Sequence, residues 1–243
     1  MRPLAGILPS VIWRRLIAVN DLEVITLPEY VTSASAHVRS RHGILMLNNR
    51  HRLIRDIQKN NPFPGLHGHQ VWQSSFMIMD YLENNPIAAN QDILDLGCGW
   101  GLLGIFCAKH FAARVTGIDA DEHVFPYLHT HAEVNNVTLA TDHRRFDQIS
   151  EDQLLTSDML VGGDICFWDE MVGALQNLIQ RALMSGVQKI IIADPGRQTF
   201  RRLADYCARH YGGELLPWRL EGKQRHSGYL LIIQNPWFVT GSR

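Results

Sequence analysis

Asp92-Ile93-Leu94-Asp95-Leu96-Gly97-Cys98-Gly99-Trp100-Gly101-Leu102-Leu103-Gly104 is the stretch from which the rest of the chain is read. An apolar run carries an acid, a glycine-dense turn follows, and a run of helical character begins. The pattern predicts the first strand, ligand loop and first helix of an α/β domain. Glycines let the backbone take positive φ and approach a ligand with no side chain in the way. The start of the next helix presents N–H groups that lack intrahelical partners. Asp95 is the discriminating position. A carboxylate facing the ligand there repels a pyrophosphate and attracts a cation or an ammonium group. Glycines at 97, 99, 101 and 104 argue against a bare structural turn, because glycine costs entropy wherever its freedom is not used.

Two readings compete for this loop. Gly99-x-Gly101-x-x-Gly104 matches the dinucleotide fingerprint. The fuller acid-x-Gly-x-Gly-x-Gly pattern resembles motif I of the class I S-adenosylmethionine (SAM) methyltransferases. In that family the loop cradles the amino acid end and ribose of the cofactor. Asp95 favours the SAM reading over the NAD one.

Outward from the loop, strands and helices alternate. Residues 93–96 read as the first strand and 101–111 as the first helix. Residues 113–119 form a second strand that ends in Asp119. A carboxylate about 20 residues after the glycine loop commonly accepts hydrogen bonds from ribose hydroxyls, and Asp119 equally suits a helix N-cap. A helix is expected over 121–135 and a third strand over 137–141. Phe146 or Asp147, in the polar stretch that follows, stands where SAM enzymes meet the adenine. Met159-Leu160-Val161-Gly162-Gly163-Asp164-Ile165-Cys166-Phe167 is a buried strand with a small-residue exit, an acid and an aromatic. The carboxyl edge of an open sheet is where ligands bind, so Asp164 and Phe167 are placed for chemistry. An N-cap of the helix expected over 169–184 is the plainer role for Asp164. Gln188 to Asp194 is strand five. Arg197 beyond it can pair with Asp194, bind a substrate carboxylate or begin the next helix, which runs to about 211. Strands at 214–220 and 227–234 close the sheet as an antiparallel hairpin.

Upstream, residues 24–27 and 42–47 read as short strands and 50–59 as a helix. His67 and His69 have no further ligand nearby, so no metal site is expected. A helix is expected over 71–82, with Trp72 at its start.

Composition bounds the rest. The 243 residues are 46% hydrophobic and 19% charged, with net charge −1. No global basic field recruits nucleic acid, and no apolar run reaches the roughly 18 residues of a membrane span. The four cysteines include no C-x-x-C pair, which fits a reducing compartment. The expected location is cytoplasmic, with an organelle matrix as the alternative, and the expected state is a monomer. Residues 1–60 are read as an N-terminal extension and 61–243 as the catalytic domain.

From about Gly68 onward the chain resembles the seven-β-strand protein-lysine methyltransferases, and within them the electron-transfer-flavoprotein β-subunit lysine methyltransferase group. The resemblance rests on Trp72, on Ile93-Leu94-Asp95-Leu96-Gly97-Cys98-Gly99, on Asp119, on Asp164-Ile165-Cys166-Phe167 as an acid-x-x-aromatic signature, and on Asp194-Pro195-Gly196-Arg197. It implies a doubly wound Rossmann-like fold with a mostly parallel seven-stranded sheet, SAM as cofactor, and a lysine of a protein substrate as acceptor. It implies that Asp95, Gly97, Gly99, Gly101 and Asp119 hold the cofactor, that Trp72 packs over it, and that Asp164 and Phe167 shape the acceptor site. The chain has Phe167 where the group typically has tyrosine, and Trp72-Gln73-Ser74-Ser75 where it has a Trp-Pro-Gly-Gly-type run. A small-molecule or histidine methyltransferase on the same fold, a NAD-dependent oxidoreductase and a SAM-binding scaffold without turnover remain the alternatives.

Overall fold

The computed structural model describes residues 36–62, 64, 65, 68, 71–220 and 226–237. The expected strand at 24–27 and the pair His67 and His69 lie outside them.

Strand runs rich in isoleucine, leucine and valine set the centre of the molecule. β3 (Asp92–Leu96), β6 (Met159–Gly163) and β7 (Lys189–Asp194) are buried along almost their whole length, and β4 (Arg114–Asp119) is buried at Val115, Gly117 and Ile118. Strands covered on both faces are the mark of a parallel sheet between helical layers. With β5 (Ala140–His143), β8 (Glu214–Leu220) and β9 (His226–Gln234) they form a seven-stranded sheet in the order β5-β4-β3-β6-β7-β9-β8. The first five are parallel, and β9 and β8 return antiparallel. The expected closing hairpin is therefore in place.

Period-two alternation sends successive strand residues to opposite layers. Ile93, Met159, Val161, Ile191 and Ala193 pack with α2 (Ser74–Asn84), α3 (Leu102–Phe111) and α4 (Phe125–Val134). Leu94, Leu96, Leu160, Ile190 and Ile192 pack with α6 (Asp169–Met184) and α7 (Gln198–Tyr211). The chain winds one way from β3 to β5 and the other way from β6 to β7. That reversal opens a crevice at the carboxyl ends of β3 and β6, the topological switch point where open α/β sheets bind ligands.

The third strand sits later than the expected 137–141. Asn136 takes φ 56° and the Val137 N–H bonds the Ala132 carbonyl, so the end of α4 consumes these residues before β5 begins. The helix expected from 121 opens as a 3-10 turn, Glu122–Val124, with Asp121 as its N-cap. The helix expected from 71 begins at Ser74, which leaves Trp72 in the connection before it.

The N-terminal part adds a hairpin and a helix. β1 (Val38–Arg41) and β2 (Ile44–Leu47) pair antiparallel, and His42 and Gly43, both at positive φ, make the two-residue turn. α1 (Arg52–Asn60) follows, capped by the His51 side chain. This unit is sewn onto α4. Asn135 accepts from the Leu45 N–H at 2.7 Å and donates to the Leu45 carbonyl at 2.8 Å. His131 Nε2 accepts from the Leu47 N–H at 3.1 Å while Nδ1 donates to the Tyr127 carbonyl at 2.8 Å. Val38, Leu47 and Ile54 bury against Trp100, Tyr127 and Val134. His131 is fully buried, and its two ring nitrogens satisfy two backbone groups of different elements.

Candidate functional site

The glycine loop leaves β3 at Gly97 and enters α3 after Gly101. Gly99 takes φ 51°, and a Cβ built there meets no atom within 4 Å. The loop backbone thus borders open space. Its N–H donates to Asp119 Oδ2 at 3.0 Å, and Asp119 Oδ1 accepts from the Asp121 N–H at 3.0 Å. Asp119 therefore fixes the loop and the local turn together. Burial pushes its carboxyl above the usual range, against the pull of the Gly99 N–H.

Asp95 corrects one expectation. Its carboxylate faces α3 rather than the crevice. It is 2% exposed, and Oδ2 accepts from the Gly104 N–H at 3.0 Å. Burial pushes its pKa up to about 7, opposed by the Gly104 bond and reinforced by the Asp119 charge. Asp95 acts on the loop from behind. Gly101, at φ 75°, likewise lies off the crevice, with the Leu128 side chain against it.

The opposite wall is built where β6 ends. A Cβ on Gly163 would stand 2.8 Å from the Ser75 nitrogen, so only glycine lets the start of α2 approach this closely. That approach brings the Ser74 N–H to Asp164 Oδ2 at 3.2 Å. Asp164 is not the N-cap of α6; Trp168 occupies that position. Asp164 instead takes φ 60°, a left-handed conformation that costs a non-glycine residue on the order of 1 kcal/mol. Three bonds hold it there. Besides Ser74, its own N–H donates to the Ala193 carbonyl at 2.9 Å, and Oδ1 accepts from Arg197 Nη1 at 2.7 Å. The same Nη1 donates to Asp194 Oδ2 at 2.6 Å. Asp194 Oδ1 in turn accepts from the Gly196 and Arg197 N–H groups, which shapes the exit of β7. Of the roles open to Arg197, the structure shows pairing, with Asp164 as well as Asp194.

Aromatic rings line the same wall. Trp72 and Phe167 meet edge to face at 5.8 Å, Phe167 and Trp168 lie 6.0 Å apart, and the Arg197 guanidinium stands 4.6 Å from the Phe167 ring centre.

Loop and wall enclose one cavity of about 360 Å³. Trp72, Gly97, Gly99, Asp119, Phe146, Asp147, Asp164 and Phe167 all border it, while Asp95 and Gly101 support it from outside. Ile165, Glu170, Met171, Arg144 and Arg145 also border it and were not read from the sequence. Glu170 and Met171 open α6, one turn beyond the acid-aromatic stretch, which is the signal that locates them.

The cavity fits SAM. The space in front of Gly99 admits a ligand against bare backbone, and Asp119 still has unused lone pairs for hydroxyls. The rings of Trp72, Phe146 and Phe167 suit an adenine and a sulfonium. A diphosphate fits less well. The two arginines on the wall pair with Asp142 and Asp147, while Asp119, Asp164 and Glu170 add negative charge.

Another cluster carries metal-ligand atoms. His42, Asp80 and Glu83 bring such atoms within 4.8 Å of one another. His42 Nδ1 already bonds Glu83 at 2.9 Å, and Trp218 Nε1 donates to Asp80 at 2.9 Å.

The described residues include no helix long and apolar enough to cross a membrane. All four cysteines are free thiols.

A protein of Danio rerio named electron transfer flavoprotein beta subunit lysine methyltransferase is 26% identical over 177 residues, which cover 72% of this chain and 67% of that one. Its Homo sapiens counterpart is 21% identical over 168 residues, covering 68% of this chain and 62% of that one. The chain thus spans about two thirds of the length of these relatives. Among solved structures, a precorrin-6y C5,15-methyltransferase of Geobacter metallireducens superposes with a TM-score of 0.51 at 13% identity, covering 74% of this chain and 95% of that one. Human methyltransferase 10 domain containing protein gives 0.51 at 10% identity, covering 72% and 86%. Those two likenesses concern the fold alone. The family model described as lysine methyltransferase matches residues 56–202, from α1 through the glycine loop and the Asp164 wall to the start of α7, and the chain belongs to that family of methyltransferases.

Proposed function

We propose that the chain transfers a methyl group from SAM to the side-chain amine of a lysine in a protein substrate. One observation carries this reading. The glycine loop with Asp119 and the wall of Asp164, Phe167 and Trp72 face a single cavity, so a donor cradle and an acid-aromatic acceptor wall share one space. SAM, when bound, supplies an electrophilic methyl carbon on a sulfonium. The chain's own residues must align the nucleophile with that carbon and exclude water, because an in-line displacement needs position more than covalent help. Phe167 and Trp72 offer ring faces to a cationic amine, and their apolar surroundings favour its neutral, nucleophilic form. Asp164 has both oxygens engaged, but each keeps a second lone pair able to accept an amine N–H. It orients the amine after the proton has left. The same reading takes the enzyme as a cytoplasmic monomer acting on protein rather than nucleic acid, a compartment consistent with four free thiols.

Incubation of the protein with methyl-labelled SAM and a cell extract, followed by mass spectrometry of the label, tests the reading. Label on lysine side chains is expected. Label on histidine or on small molecules would transfer the assignment to another acceptor on the same fold. Stabilisation against heat by NAD and not by SAM would remove the methyl-transfer reading altogether.

A further inference from the structure

We propose that Arg197 is a positioning residue that sets the net charge around the acceptor amine and so keeps that amine able to lose its proton near neutral pH. The inference rests on the lysine reading above.

Two carboxylates lie at adjacent strand ends. Asp164 is 4% exposed and Asp194 is fully buried. One nitrogen of Arg197 reaches both, at 2.7 and 2.6 Å. A guanidinium stays protonated at every relevant pH, so the three groups together carry one negative charge. That charge attracts a lysine ammonium without holding its proton strongly. Without the guanidinium, the charge of Asp164 at the cavity wall and that of Asp194 buried behind it would both act on the amine, and a nearby opposite charge raises an amine's pKa. The amine must be neutral to attack, so the cost would appear as a rate lost at neutral pH and regained at higher pH. The placement over Phe167, 4.6 Å from the ring centre, ties the same guanidinium to the aromatic part of the wall.

Other charged or titratable groups surround the three. Cys166 follows β6, and Glu170 borders the cavity from α6. Arg201 lies over the Tyr229 ring at 4.3 Å, and Arg202 pairs with Asp169. None of them bridges Asp164 and Asp194, so a change confined to residue 197 reads the bridge itself. The backbone of Arg197 also caps α7, a role that side-chain substitutions leave alone.

The test compares the wild type with Arg197→Met, Arg197→Lys and Asp194→Asn, all as the full chain. The donor is methyl-tritiated SAM, the acceptor is cell-extract protein, and the rate is followed from about pH 6 to about pH 10. Binding of S-adenosylhomocysteine, measured by calorimetry, reports whether each variant is folded. Arg197→Met is expected to move the acidic limb of the pH profile up by about one unit, losing roughly tenfold at pH 7 and recovering at high pH. Arg197→Lys keeps the charge and is expected to leave the limb in place. Asp194→Asn removes a negative charge and is expected to move the limb down. A limb unmoved in Arg197→Met, with the rate reduced equally at every pH, overturns the proposal. So does a limb that rises in Asp194→Asn, and this second variant decides the matter if Arg197→Met does not fold. Wild-type protein that binds S-adenosylhomocysteine yet labels no lysine overturns the lysine reading itself.

Discussion

At the scale of single residues, the glycine loop separates what a side chain does to the fold from what it does to a ligand. Gly99 and Gly101 both sit at positive φ, but a Cβ on the first points into open space and a Cβ on the second collides with Leu128. Gly99→Ala is expected to cost only roughly 1 kcal/mol of stability from the strained backbone, while weakening SAM binding by about tenfold or more through crowding of the cradle. Gly101→Ala is expected to cost about 1–3 kcal/mol beyond the backbone term, because the core behind it is already full. Denaturant unfolding and calorimetric titration on the same two variants check both statements. Equal losses of stability would show that Gly99 is packed rather than open. The sequence identified these glycines and both acids, Asp95 and Asp119, but turned Asp95 toward the ligand. Asp95, two residues after Ile93 on β3, shares its layer and faces α3, whereas Asp119 borders the cavity from the carboxyl end of β4.

At the scale of elements, the docking of the β1–β2 hairpin on α4 is a feature on which the sequence reading was silent. Periodicity finds apolar faces, but a bond between a side chain of one element and the backbone of another leaves no local signal. His131 is such a case. Burial lowers its pKa to about 4, from an ordinary value near 6.5. Between those values the unfolded chain binds a proton that the folded chain refuses, so the His131 contribution is present above about pH 6.5 and lost as the pH falls toward 4. His131→Gln is expected to flatten this acid limb of the melting temperature. At neutral pH it is expected to cost about 1–3 kcal/mol, by leaving the Leu47 N–H and the Tyr127 carbonyl poorly paired. A thermal melt series from about pH 4 to about pH 7.5 checks it; an acid limb as steep as that of the wild type would remove His131 as its source.

At the scale of the whole molecule, the sheet concentrates carboxylates at one edge, and burial raises three of them. Asp95, Asp119 and Asp194 each lie above the usual carboxylate range, Asp95 at about 7. The sign is opposite to that of His131. Between about pH 4 and pH 7 the folded protein keeps a proton on Asp95 that the unfolded chain has lost, so this contribution to stability falls as the pH rises. Asp95→Asn keeps an acceptor for the Gly104 N–H and removes the charge. Its melting temperature is therefore expected to fall less between pH 5 and pH 8 than that of the wild type, by about several degrees. Differential scanning calorimetry at the two pH values decides the point. An unchanged fall would show that Asp95 is not its source.

The order of strands and helices, the closing hairpin, the glycine loop and the acid-aromatic wall were legible in the sequence because each depends on residues close together along the chain. Hydrophobic period, turn residues and motif spacing act over a few residues at a time. The tertiary structure alone decided which carboxylates meet the cavity, that Arg197 joins Asp164 to Asp194, and where the hairpin docks. Those choices join residues far apart in sequence, Ser74 with Asp164 and Leu47 with His131. They were decided by the close approach of α2 that Gly163 permits and by the requirement that buried polar groups find partners.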